Sequence, residues 1–131
     1  MLTIVPRRKI LLVDDNADAS QLLAELLAMT GHDIRIAADG PAAIATALEF
    51  DPDIVLCDIG LPGMDGYEVA RELRRLPRGE SMTLAALTGY GEESARAEAA
   101  RAGFDEHLMK PVDPTYLESF ITALASKARQ P

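Results

Sequence analysis

Five short apolar runs, each followed by a stretch with helical spacing, constrain this chain more than any other feature. The runs are Ile10-Leu11-Leu12-Val13, Ile34-Arg35-Ile36-Ala37, Ile54-Val55-Leu56-Cys57, Leu84-Ala85-Ala86-Leu87 and Glu106-His107-Leu108-Met109. The first and third are continuous and rich in branched side chains, as expected of strands buried on both faces of a parallel sheet. The second alternates, which suits an edge, and the fifth has the weakest pattern of its own. Between the runs, Ala19, Leu22, Leu23, Leu26 and Leu27 recur at helical spacing behind Asn16 or Asp18 as a cap, and Gly31 ends that helix. Ile44, Ala47 and Leu48 predict a second apolar stripe, and Val69, Leu73 and Leu76 a third. The segment from Glu92 to Ala102 is alanine-rich, with Ala95, Ala99 and Ala102 facing inward. Tyr116, Leu117, Phe120, Ile121 and Leu124 make the strongest stripe, entered through Asp113-Pro114. Strict alternation of strand and helix predicts an α/β fold. The expected form is a doubly wound, five-stranded parallel sheet with right-handed crossovers and helices on both faces.

The 131 residues suffice for one compact domain and not for two ordinary ones. A single domain over 1–131 is expected, with a core over about 8–126 and tails at 1–7 and 127–131. The formal net charge of −8 argues against holding nucleic acid through its phosphates, which requires clustered Lys and Arg. The one basic cluster, Arg7-Arg8-Lys9, reads as a solvated charge run ahead of the first strand. A single cysteine, Cys57, excludes an internal disulfide, fits a reducing cytosol and reads as a buried core thiol. No apolar stretch approaches the roughly 18 residues of a membrane span, so no membrane insertion is expected. Met1 to Pro6 lacks the features of a secretory leader, which makes a cytoplasmic location the expectation.

The residues that follow the runs carry chemistry. Asp14 and Asp15 follow the first, Asp58 the third, Thr88 the fourth, and Lys110-Pro111 the fifth. Only the second run ends in what looks like a plain turn, Ala38-Asp39-Gly40. In open sheets of this kind, ligands bind beyond the carboxyl ends of the strands, where strand order reverses. Any one of these residues has an ordinary explanation as a turn or cap. Their delivery to one sheet edge does not. Three converging carboxylates repel one another unless a cation sits among them, and hard oxygen ligands with room for water suit Mg²⁺. Phosphoryl transfer requires a nucleophile and neutralised equatorial oxygens. Asp58 fits the nucleophile, forming an acyl phosphate, and Lys110 and Thr88 fit the oxygen-binding roles.

The stretches Ile10-Leu-Leu-Val-Asp-Asp-Asn16, Asp58-Ile-Gly-Leu-Pro-Gly-Met-Asp-Gly66, Leu87-Thr-Gly-Tyr90 and Met109-Lys-Pro111 resemble the receiver domain of two-component response regulators. The resemblance covers about residues 8–126. It implies a flavodoxin-like sheet of strand order 2-1-3-4-5 with Asp58 as phosphoacceptor. Asp15, Asp58 and the Gly60 carbonyl would bind Mg²⁺ (Mn²⁺ is the alternative ion), with Asp14 close by or acting through water. Thr88 would sense the phosphoryl group, Gly89 would leave space for it, Lys110 would pair with it, and Lys110-Pro111 would be a cis peptide. The donor would be a phosphohistidine on a histidine kinase or phosphotransfer protein. The readout would be an altered surface for an output protein, or a weak phosphorylation-dependent dimer. Such a domain takes part in its own phosphorylation and dephosphorylation and is not an enzyme acting on other molecules.

Three positions depart from the commonest pattern of that family. His107 stands where Tyr or Phe usually acts as a switch, and imidazole titrates near neutrality. Gly60 and Tyr90 occupy the two positions that tune phosphoryl lifetime. A haloacid dehalogenase-type phosphohydrolase also uses an Asp after a strand, but it requires a second Asp two residues on, where this chain has Gly60. A stand-alone regulator of chemotaxis type and a receiver taken from a hybrid histidine kinase are both compatible with the wording of the motifs.

Overall fold

In the computed structural model, which describes residues 7–89 and 95–128, strands and helices alternate along the chain. The order is β1 (Lys9–Val13), α1 (Ala17–Ala28), β2 (Asp33–Ala37), α2 (Gly40–Phe50), β3 (Ile54–Asp58), α3 (Gly66–Arg74), β4 (Thr83–Thr88), α4 (Ala95–Ala102), β5 (Glu106–Met109) and α5 (Pro114–Ala128). All strand pairs are parallel, and the sheet order is β2-β1-β3-β4-β5, as the resemblance implied. Order reverses between β1 and β3, and the crevice at their carboxyl ends is the expected ligand position.

The two-residue period of a strand divides the central side chains between two cores. Leu11, Val13, Val55, Cys57, Leu84 and Ala86 pack with Ala43, Ala47, Val69, Leu73, Ala99 and Ala102, which belong to α2, α3 and α4. Ile10, Leu12, Ile54, Leu56, Ala85 and Leu87 pack on the other face with Leu27 of α1 and Leu117 and Ile121 of α5. β1 and β3 are covered on both faces, which is why their runs are continuously apolar.

Helix faces depart from the stripes expected from sequence. α1 buries Ser20, Ala24 and Leu27, while Leu22 is 60 % exposed and Ala19 is also outside. α2 buries Gly40, Ala43, Ala47 and Phe50, while Leu48 is 59 % exposed. A helix lying on a sheet approaches most closely through small side chains, and both helices turn serine, glycine and alanine inward for that reason. α5 buries Leu117 and Ile121 but leaves Tyr116 exposed. Val69 and Leu73 of α3, and Ala99 and Ala102 of α4, are buried as expected. The inward placements of Ala95 and Leu124 concern side chains outside the described set. Asn16, rather than Asp18, caps α1 by accepting from the Ala19 amide at 3.1 Å. Gly31 adopts φ +95° in the turn beyond the C-cap, Met29.

The basic cluster is not wholly a solvated run. Arg8 is 4 % exposed, and its amide donates to His32 Nδ1 at 3.1 Å. Parallel pairing with β2 draws this residue under the sheet edge, with the Asp33 amide donating to the Arg8 carbonyl at 2.9 Å. Among the described residues no helix is long and apolar enough to cross a membrane.

Candidate functional site at the carboxyl edge of the sheet

Register places the polar residues before any side chain is considered. Val13 is level with Cys57, so Asp14 and Asp58 are adjacent one step further on. Asp58 is level with Leu87, and Thr88 with Met109, which brings Thr88 and Lys110 to the same edge. Asp58 and Thr88 are the last residues of β3 and β4, not the first of the loops that follow.

Asp14, Asp15 and Asp58 each offer a carboxylate oxygen to a common point, all lying within 4.8 Å of one another. Asp14 and Asp58 are buried, each 7 % exposed, whereas Asp15 is open to solvent. Backbone amides hold the two buried groups. The Asn16 amide donates to Asp14 Oδ1 and the Gly60 amide to Asp58 Oδ1, each at 2.9 Å. Lys110 Nζ donates to Asp58 Oδ2 at 3.0 Å from a side chain 35 % exposed. Three hard oxygen donors around one point, with an open side at Asp15, fit a small divalent cation that retains water. One ammonium against three carboxylates leaves the cluster net negative, which favours a cation further.

Thr88 is fully buried, and its hydroxyl is 2.8 Å from His107 Nε2 and 3.4 Å from the Leu108 carbonyl oxygen. The Lys110 amide donates to the Thr88 carbonyl at 2.7 Å, and the Lys110-Pro111 peptide is cis. Gly89 follows β4 half-buried. Gly60 is exposed, and a Cβ there would meet only Asp58 Oδ1, at 3.5 Å. Tyr90 lies outside the described residues. Cys57 is fully buried as expected. Burial pushes its thiol well above the usual range, and the neighbouring Asp58, Asp14 and Asp65 charges add to the effect.

Two contributors were given no role from the sequence. Gly66 opens α3 where the chain folds back over the end of β3, its amide donating to the Ile59 carbonyl at 3.2 Å. A Cβ there would collide with Ile59 Cα and lie 2.7 Å from the Asp58 carbonyl oxygen, so only glycine permits this approach. Arg74 donates to the Gly79, Met82 and Gly103 carbonyls at 2.8, 2.7 and 2.6 Å and pairs with Asp105 at 2.8 Å. It braces the entrances to β4 and β5. Nothing in the pattern distinguishes it from its neighbours Arg71 and Arg75; the Gly103 carbonyl and Asp105 that complete its set lie far along the chain.

The chain belongs to the response regulator receiver domain family, whose model matches residues 10–122. Receiver domains are signalling modules rather than classical enzymes, and they interact with histidine kinases or phosphotransfer proteins and with output domains. They bind Mg²⁺ at an acidic cluster, and an Asp cluster is present here. The chain is 38 % identical over 108 residues to an uncharacterised 14.6 kDa protein of Leptolyngbya boryana, covering 82 % of each. It is 37 % identical over 122 residues to the transcriptional regulatory protein ResD of Bacillus subtilis, covering 93 % of this chain and 50 % of ResD. The chain thus spans half the length of that regulator. A CheY-like receiver domain protein from Methanospirillum hungatei superposes with a TM-score of 0.85 at 28 % identity, over 94 % of this chain and 97 % of that one. The receiver domain of sensor histidine kinase PA1611 from Pseudomonas aeruginosa superposes with a TM-score of 0.83 at 29 % identity, over 92 % of this chain and 99 % of that one. It was solved with a magnesium ion coordinated in its active site cleft.

Proposed function

We propose that this chain is a phosphorylation-controlled switch, a single receiver domain over residues 1–131 in which Asp58 accepts a phosphoryl group from a phosphohistidine. The observation that carries the proposal is the placement of the Asp58 carboxylate. It is buried within a three-carboxylate cluster, oriented by the Gly60 amide and in contact with Lys110. An Asp58 oxygen attacks phosphorus, the P–N bond of the donor breaks, and its electron pair returns to the donor imidazole. Lys110 neutralises phosphoryl oxygens, and the Thr88 hydroxyl donates to one of them. Asp14, Asp15, Asp58 and the Gly60 carbonyl would hold Mg²⁺ or Mn²⁺, which supplies positive charge against the phosphoryl oxygens. The magnesium-bound PA1611 receiver supports the choice of ion by similarity.

The proposed donor is a histidine kinase or a phosphotransfer protein. The proposed output is a protein contact, or a second copy of the chain, on the face formed by α4, β5 and α5. A haloacid dehalogenase-type hydrolase finds no support, because the position two residues beyond Asp58 is glycine. The test is labelling by acetyl phosphate with Mg²⁺, and binding of the phosphoryl mimic beryllofluoride, for the wild type and Asp58→Asn. Complete loss of labelling in the variant is expected. Equal labelling of both proteins would show that Asp58 is not the acceptor.

A further inference from the structure

Thr88 and His107 lie diagonally across the β4–β5 ladder, with Ala86 level with His107 and Thr88 level with Met109. The Oγ1 to Nε2 distance of 2.8 Å makes this a short, well-formed hydrogen bond around a fully buried hydroxyl. A hydroxyl has a single proton to give. If the neutral ring presents a bare Nε2, that proton is committed to His107. If Nε2 carries hydrogen, the ring donates to Oγ1 and the hydroxyl proton is released to another acceptor. Imidazolium always donates at Nε2. A phosphoryl group on Asp58 is the acceptor that the Proposed function places beside Thr88, and its anionic oxygens favour a cation one hydrogen bond away.

We infer that His107 is a positioning residue that gates the Thr88 hydroxyl through the direction of their hydrogen bond, so that occupancy at Asp58 draws a proton onto His107. Neutral and accepting, the ring holds the hydroxyl away from Asp58. Protonated and donating, it turns the hydroxyl toward the phosphoryl oxygens. The inference rests on Asp58 being the phosphoacceptor.

The surroundings of the ring allow this exchange. His107 is half-buried and lines a cleft of about 360 Å³ that is open to solvent, so a proton can reach it. Among the described residues the same cleft receives Arg96 from α4, Tyr116 from α5, Glu106 from the start of β5 and Asp105 just before it. β4 presents Leu84, Ala86 and Thr88 to this face, none of them charged. Asp105 is occupied by Arg74 at 2.8 Å and by the Leu84 amide at 2.9 Å. That leaves Glu106 and Arg96, of opposite sign, as the nearby charges whose balance a proton on His107 would alter.

Linkage sets the sign. If occupancy favours the protonated ring, protonation favours occupancy by the same factor. Affinity for a phosphoryl mimic is then greatest where the ring is already protonated. It falls as pH rises through the range where only the occupied state keeps the proton, about tenfold for each unit of that range.

The experiment is calorimetric titration with beryllofluoride and Mg²⁺ in buffers of different ionisation enthalpy, repeated from mildly acidic to mildly alkaline pH. It compares the wild type with His107→Gln, which keeps an amide within reach of Thr88 but cannot titrate, and with His107→Phe, which removes the bond. The wild type is expected to take up a fraction of a proton on binding and to lose affinity as pH rises, with both effects absent from the two variants. Nitrogen NMR of the ring should show both nitrogens protonated in the occupied state at a pH where the free protein has one. Proton uptake undiminished in His107→Gln, or absent from the wild type, overturns the inference. So does a uniform loss of affinity in His107→Gln with uptake retained, because that marks a purely structural role. No binding of the mimic by the wild type at any pH would instead remove the phosphoacceptor reading, and the gate with it.

Discussion

β1 and β3 meet through Ile10, Leu11, Leu12, Val13, Ile54, Val55 and Leu56, each no more than 1 % exposed, whereas the flank formed by α4 and β5 buries, among the described residues, only Ala99, Ala102 and Leu108. A fully buried Leu or Ile stabilises by about 1.5–3 kcal/mol relative to exposure, and an alanine removes far less apolar surface from water. β5 has four residues, and its Glu106 and Met109 are exposed. The difference assigns tasks. Two of the three clustered carboxylates, Asp14 and Asp58, hang from the stiff pair of strands, where a cation and a nucleophile must keep fixed positions. His107 and Lys110 belong to the lightly packed flank, and Thr88 ends β4 beside it, where a change at the site can move a surface.

The largest effect that would test this division is loss of the cation. Chelation, or Asp15→Ala, should abolish phosphorylation from acetyl phosphate while leaving the far-ultraviolet circular dichroism unchanged. Asp15 is exposed, and its removal opens no cavity. Undiminished transfer in chelator would mean that the three carboxylates need no counter-charge beyond Lys110.

Next comes stability. Leu56→Ala in β3 should cost about 2–5 kcal/mol, and Ala99→Gly in α4 about 1 kcal/mol, by urea denaturation. The buried Cys57 thiol, held protonated by its burial and by the nearby carboxylates, reports the same contrast kinetically. Alkylation should be negligible in the native protein and accelerate in Leu56→Ala far more than in Ala99→Gly. Equal costs for the two substitutions would abolish the distinction between stiff and soft halves.

A smaller effect is expected in hydrogen exchange. Beryllofluoride should change protection most from the end of β4 through the start of α5, roughly Thr88 to Tyr116, and least in β1 and β3. Changes spread evenly over the domain, or confined to α1 and α2, would move the readout elsewhere.

The smallest concerns phosphoryl lifetime. Gly60 offers no side chain to hold a water in line with phosphorus, and the space beside it accepts one, since a Cβ would meet only Asp58 Oδ1 at 3.5 Å. Gly60→Asn, alone or with Tyr90→Glu, should shorten the lifetime a few-fold in a phosphate-release assay. An unchanged or longer lifetime would show that water placement does not limit decay.

Much of this was legible from the chain alone, for a specific reason. Strands buried on both faces, such as Ile54–Cys57, must be continuously apolar, and the polar residue that ends such a run stands out. Helix faces were less legible. Leu22 and Leu48 continue an apolar period yet point outward, because close approach to the sheet selects Ser20, Ala24, Ala43 and Ala47 instead. Arg8 looked solvated because nothing nearby in sequence reveals that its amide meets His32.

By itself, then, the sequence determined the alternation of strand and helix, and that Asp14, Asp15, Asp58, Thr88 and Lys110 each end a strand or follow one. Both properties are local and written in periods of two and 3.6 residues. Tertiary structure decided the rest. It set Asp14 level with Asp58 through the β1–β3 register, demanded glycine at position 66, and placed the Thr88 hydroxyl 2.8 Å from His107. These depend on strands that pair across tens of residues, and only the packed sheet sets which side chains then meet.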